Sequence, residues 1–132
     1  MEKREQPSRI IIGCGEAAPL RVIAEALRNE GLEVETARSH KELLRKCQHR
    51  EYALIITRFV APLIDSPKAV ARLRGRERRA RLFVLSHTHN DTLVVTLLER
   101  GVNQFLSLPI YTPRLTRKVT QELHKFRTIC QS

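Results

Sequence analysis

Acidic residues are scarce in this chain: 14 Asp and Glu stand against 24 Lys and Arg, giving a formal net charge of +10 over 132 residues. Aromatic residues make up only 5% and tryptophan is absent, which leaves few side chains to stack on nucleobases. No apolar run approaches the roughly 20 residues that span a bilayer. The opening Met1-Glu2-Lys3-Arg4-Glu5-Gln6-Pro7 lacks the apolar core of a secretory signal, so the expected location is the cytoplasm, with no membrane partner. Three widely spaced cysteines, Cys14, Cys47 and Cys130, support neither a disulfide framework nor a zinc knuckle and read as reduced thiols. What remains, with 42% hydrophobic residues, suits one soluble domain with an ordinary core rather than a two-domain enzyme.

The positive charge is concentrated. Residues 1–50 carry 10 bases and 8 acids, whereas residues 51–132 carry 14 and 6. Within the second part Lys68, Arg72, Arg74, Arg76, Arg78, Arg79 and Arg81 face only Glu77. Such a density attracts phosphate or an acidic partner surface, and it equally suits a solvated helix end and loop.

Apolar patterning divides the chain into alternating short and long elements. Residues 1–8 are polar and expected to form a disordered tail, and 128–132 a second tail, around a domain at 9–127. Arg9-Ile10-Ile11-Ile12 reads as a buried strand stopped by Gly13-Cys14-Gly15. Pro19 then suits the first turn of a helix that places Leu20, Ile23, Ala24 and Leu27 on one face and closes at Gly31. Leu32 to Thr36 alternates apolar and polar like a strand, and Ser39-His40-Lys41-Glu42 has the form of a capping box opening a helix to about Gln48. Tyr52 to Thr57 is continuously apolar over five residues, the pattern of a strand covered on both faces. A loop with Pro62 leads to a short basic helix from Pro67 to Arg74, the strand Leu82 to Ser86, and the polar stretch His87 to Asp91. An apolar helix Thr92 to Arg100, the short strand Gln104 to Ser107, and a helix from Thr112 with Leu115, Val119, Leu123 and Phe126 inward complete the order.

Five strands alternating with five helices imply right-handed crossovers and a parallel sheet between two helical layers. The fold expected is therefore α/β: a flavodoxin-like, doubly wound, five-stranded (βα)5 sandwich of three layers. Its ligands and chemistry belong at the carboxyl ends of the strands, near Gly13 to Glu16, Arg58 to Pro62, Ser86 to His89 and Ser107 to Pro109.

Taken in order, these motifs over roughly residues 9–127 resemble the receiver domain of bacterial two-component response regulators. Arg9 to Ile12 followed by Glu16 and Pro19-Leu20 is similar to that family's first strand and acidic turn. Ala26 to Ala37 is similar to its first helix, glycine turn and second strand, and Tyr52 to Pro62 to the strand and loop bearing its phosphoryl acceptor. Val84-Leu85-Ser86-His87 resembles the strand that ends in a hydroxyl, and Phe105 to Pro109 the strand that ends in a Lys-Pro step. The resemblance implies chemistry that needs an acidic pair for magnesium, an aspartate nucleophile, a lysine and a switching hydroxyl. Here the acidic pair falls on Cys14 and Gly15, the acceptor on Arg58 and the lysine on Leu108, while Ser86, Phe105 and Pro109 match. The expectation is a degenerate pseudo-receiver without catalysis, cofactor or metal, in which Arg58 pairs with Glu16 in place of cation and phosphoryl group.

Other features point elsewhere. Gly13-Cys14-Gly15-Glu16-Ala17-Ala18 also fits a dinucleotide fingerprint, with Glu33 and Glu35 about 20 residues on as ribose ligands, although the same residues suit a plain tight turn. His87 and His89 with Cys14 and Glu16 would suit zinc by ligand type, yet exposed loop histidines are ordinarily just solvated. Ser86 and Phe105 are either a switch pair or simply a strand-end hydroxyl and a core aromatic. The helix Thr92 to Arg100 is more apolar than one buried face requires, which leaves Val95 for a protein partner or a second copy. The resemblance implies the same face: fourth helix, last strand and last helix. The leading expectation is a phosphorylation-independent interaction module in signal transduction. The alternative is polyanion or nucleic-acid binding through residues 68–81.

Overall fold

The computed structural model describes residues 9–15, 18–60, 63–77, 79–87 and 90–131. Residues 1–8, Glu16, Pro62, Arg78, His89 and Ser132 lie outside these, as do the side chains of Pro19, Phe126 and Cys130. The elements run β1 (Arg9–Gly13), α1 (Ala18–Asn29), β2 (Glu33–Ala37), α2 (His40–His49), β3 (Leu54–Arg58), α3 (Pro67–Arg76), β4 (Arg81–Ser86), α4 (Asp91–Glu99), β5 (Gln104–Ser107) and α5 (Thr112–Gln131). The last helix thus enters the stretch 128–132 that the sequence reading sets apart as a tail. No helix among the described residues is long and apolar enough to cross a membrane.

All strand pairs are parallel and the order is β2-β1-β3-β4-β5, so the fold is the expected flavodoxin-like, doubly wound α/β sandwich. Side chains alternate across a strand, and this splits each apolar run between two cores. Ile10, Ile12, Leu54, Ile56, Phe83 and Leu85 face α1 and α5, packing on Leu20, Ile23, Leu27, Leu115 and Val119. Ile11, Ile55, Leu82 and Val84 face α2, α3 and α4, packing on Leu43, Cys47, Val70, Leu73 and Leu97. Most of these side chains are fully buried, each stabilising the fold by about 1.5–3 kcal/mol of transfer free energy.

Local chemistry sets the helix ends. Ser39 Oγ accepts from the Glu42 N–H at 3.2 Å, half of the expected capping box, but the Glu42 carboxylate reaches back to the N–H of Arg38 rather than Ser39. Ser66 Oγ and Asn90 Oδ1 cap α3 and α4 in the same way. Gly31 and Gly101 follow α1 and α4 at φ of 85° and 110°, the left-handed region that glycine enters without a Cβ clash. Gly13 is required for another reason: a Cβ there would stand 2.7 Å from Thr57 Oγ1 and 3.1 Å from Leu63 Cδ2, so β1 and β3 close on each other only without a side chain.

Candidate functional site

In this strand order the direction in which successive strands are added reverses between β1 and β3, and the crevice at the carboxyl ends beside that point is where such sheets hold ligands. A cavity of about 480 Å3 lies there. Helix α1 contributes Leu20, Val22 and Ile23, the end of β3 contributes Arg58, and His87 follows β4. The segment after β5 closes it with Leu108, Pro109, Ile110 and Thr112. The Leu108 N–H donates to Ser86 O at 2.8 Å and the Phe59 N–H to Leu85 O at 2.8 Å, so the loops after β3 and β5 are both anchored to the end of β4.

Of the residues singled out from the sequence, the cavity brings together Arg58, His87, Leu108 and Pro109. Its wall is mostly aliphatic, and among the described residues no carboxylate lines it. The Arg58 guanidinium makes no hydrogen bond or ion pair with any described residue; the expected partner, Glu16, is outside them. Ser86 is buried at the end of β4, whereas Phe105 is half-buried and packs toward the α2–α4 side. Cys14 and Gly15 stand apart, with both N–H groups on Ala37 O and the Cys14 thiol 3.9 Å from the same oxygen. A second, smaller hollow of about 330 Å3 beside them is lined by Arg21, Arg28 and Arg38. No cluster of three His, Cys, Asp or Glu exists among the described residues.

The dinucleotide reading fails on register. Glu33 pairs with Arg9 at the opening of β2, and Gly13 lies opposite Ala37, so the acids sit four and two residues short of the glycine turn. Both are already engaged: Glu33 accepts from Arg9 Nε at 2.7 Å, and Glu35 accepts from Arg50 Nη1 at 2.9 Å and the Tyr52 hydroxyl at 3.1 Å. The position that would bind a ribose carries Arg38 instead.

Among its described residues the arginine cluster does not form one surface. Arg74 folds back under the α3–β4 turn: Nε donates to Gly101 O at 2.9 Å, Nη1 to the carbonyls of Glu77 and Ala80, and Nη2 to Asn103 Oδ1 at 2.8 Å. Burial lowers its pKa, with Glu77 opposing and Arg81 adding to the effect. Arg81 donates through Nε to the buried carboxylate of Glu122, which also accepts from Gln104 Nε2 at 3.3 Å. The Glu77 carboxylate accepts from the N–H groups of Arg79 and Ala80 at 3.0 and 3.2 Å. Lys68, Arg72, Arg76 and Arg79 are exposed.

Two titratable groups that the sequence reading did not single out have shifted titration. Both ring nitrogens of His40 are buried without a hydrogen-bond partner, and burial, with Arg72 adding to it and Asp65 opposing, lowers its pKa. Burial, reinforced by Glu77, pushes the Cys47 thiol up to about 12, which makes it a poor nucleophile. Elsewhere Val95 on α4 is 54% exposed and Leu98 44%, and Tyr111, just before α5, is 74% exposed.

The sequence model described as response regulator receiver domain matches residues 16–120, most of the chain. Solved structures agree in fold. A CheY-like receiver domain protein from Methanospirillum hungatei JF-1 superposes with a TM-score of 0.85 at 20% identity, covering 93% of this chain and 98% of that one. A receiver domain protein from Clostridium thermocellum gives 0.80 at 18%, covering 92% and 98%. The beryllofluoride-activated NtrC4 receiver domain, solved as a dimer, gives 0.80 at 16%, covering 90% and 98%.

Proposed function

This chain belongs to the response regulator receiver domain family of two-component signalling, and we propose that it works there without phosphorylation, as a protein interaction module. The observation that carries this reading is the cavity at the strand ends, where Arg58 and Leu108 share an aliphatic wall with no carboxylate among its described residues. Phosphoryl transfer to a receiver needs a carboxylate nucleophile and a hard cation held by oxygens. A guanidinium attracts a phosphoryl group but has no free electron pair with which to accept it, and a leucine offers no charge to hold it. Cys14 and Gly15 supply no carboxylate oxygen either.

Without that input, a receiver communicates through its surface. The exposed Val95 and Leu98 on α4, with Tyr111 exposed just before α5 and Phe105 half-buried on β5, support docking of a protein partner or of a second copy on α4, β5 and α5. Polyanion binding is the second reading, favoured by exposed Arg72, Arg76 and Arg79; it loses ground because Arg74 and Arg81 are spent on internal acceptors. The test is affinity capture from source-cell lysate with nuclease present, comparing the wild type with Val95→Glu. A protein retained by the wild type and lost by the variant supports the interaction module. Capture that disappears with nuclease or added salt moves the function to the arginines.

A further inference from the structure

We propose that the cavity at the strand ends is a binding site for a small organic anion with an apolar body, a carboxylate of about the length of octanoate. This goes beyond the interaction-module reading and does not rest on it, since ligand binding to the chain alone involves no partner protein.

Three observations converge on that chemistry. First, the cavity has the size of a ligand site: about 480 Å3, within the range of roughly 300–1,000 Å3 typical of small-molecule pockets. It also sits beside the point where the strand order reverses, the position that gives a doubly wound sheet its ligand crevice.

Second, Leu20, Ile23, Leu108 and Ile110 on opposite sides give it an aliphatic lining, with Val22 and Pro109 toward the opening. Water held there finds few of the two to four polar partners that make a bound water favourable. An alkyl or aryl body releases that water and gains dispersion contacts with both walls.

Third, among the described residues the wall carries one permanent charge. Among the described residues Arg58, at the end of β3, has no acid or carbonyl partner, and no carboxylate lines the space around it. A guanidinium takes a carboxylate through two parallel N–H···O bonds, a geometry that selects planar carboxylates. His87 and Thr112 are the remaining polar side chains of the lining, and neither brings negative charge. Inorganic phosphate would satisfy Arg58 and leave the aliphatic walls wet. A neutral alcohol would dry the walls and leave the guanidinium unpaired. Only a molecule with both parts meets both demands.

The test is a titration of the 15N-labelled protein followed by amide shifts, with sodium octanoate as ligand and 1-octanol and inorganic phosphate as controls. Octanoate is expected to give saturable shifts at Arg58, His87, Leu108 and Ile110, while octanol binds roughly tenfold or more weakly, the share of a charge-assisted bidentate contact. Arg58→Gln should weaken octanoate by a similar factor and leave octanol unchanged. Ile110→Trp, which fills the cavity and keeps the guanidinium, should abolish both. The proposal is overturned if octanoate causes no saturable shift into the millimolar range, if the shifts map to α4, or if either control binds as tightly. The comparison of octanoate with its controls on the wild type decides the matter even if a variant fails to fold.

Discussion

Replacing Arg74 by methionine keeps much of the aliphatic stem and removes the fork that holds the α3–β4 turn to the α4–β5 turn. Four hydrogen bonds disappear, to the carbonyls of Gly101, Glu77 and Ala80 and to the side chain of Asn103. Each bond from a charged donor is worth about 1.5–3 kcal/mol, and an acceptor left buried without a partner costs about 1–3 kcal/mol. These losses do not all apply. Arg74, Gly101 and Asn103 line an open surface hollow of about 530 Å3, so water replaces the guanidinium at Gly101 and in part at Asn103. Asn103 Oδ1 also keeps its bond from the Leu82 N–H at 2.7 Å. The acceptors that suffer are Glu77 O and Ala80 O, under the turn. Counting only these two gives about 3 kcal/mol for Arg74→Met. With a urea slope of about 1.5 kcal/mol per molar, the unfolding midpoint should fall by about 2 M at unchanged slope. Arg74→Lys should recover less than half, because one ammonium cannot reach acceptors arranged for a planar fork. Urea unfolding followed by circular dichroism is the assay. A loss under about 1 kcal/mol for the methionine variant would refute the structural role of Arg74 and return it to the basic surface.

Other perturbations follow from the same packing. Gly13→Ala should cost about 1–3 kcal/mol by forcing a Cβ against Thr57 Oγ1, and adding Thr57→Ala should return part of it; a neutral single variant in thermal unfolding would show that β1 and β3 are not so close. His40 has its pKa lowered in the folded state, so below its ordinary value the unfolded chain binds more protons than the folded one. Stability is therefore fully present above about pH 6.5 and declines as pH falls toward the folded value. His40→Leu should flatten the urea midpoint across that window, and an unchanged slope with pH would remove His40 as the cause.

Much of the fold is legible because parallel strands and amphipathic helices leave distinct periods. Ile10 to Ile12 and Leu54 to Ile56 read as central strands since both faces must be covered, and both cores are built from their alternating side chains. The strand expected from Tyr52 begins at Leu54. Ala53 nevertheless bonds to Arg9 and Arg81 through its backbone, so the ladder's hydrogen bonds start before the strand proper. The α3 helix runs on to Arg76 through Gly75, because the Glu77 N–H still finds Leu73 O at 2.9 Å. Charge was harder to read. Seven bases near one acid look like a patch, but the fate of Arg74 is decided by carbonyls up to 27 residues away, and a backbone acceptor leaves no mark in a sequence. The spacing of Glu33 and Glu35 from the glycine turn satisfied the dinucleotide pattern only in residue count; register puts them on the wrong stretch of β2. The cavity is assembled from α1 and three separate strand ends, and only Arg58, His87, Leu108 and Pro109 of its lining were in view as site residues.

The central claim is that the strand-end site receives no phosphoryl group. The most direct test adds magnesium and beryllofluoride, which mimics an acyl phosphate only where a carboxylate oxygen and a bound cation complete it, and follows the amides of Arg58, Ser86, Phe105 and Leu108. The account predicts no saturable, magnesium-dependent shift at any of them. Saturable shifts that require magnesium and spread from Arg58 to Ser86 and Phe105 would contradict it, and the chain would then be a working receiver with its acceptor elsewhere.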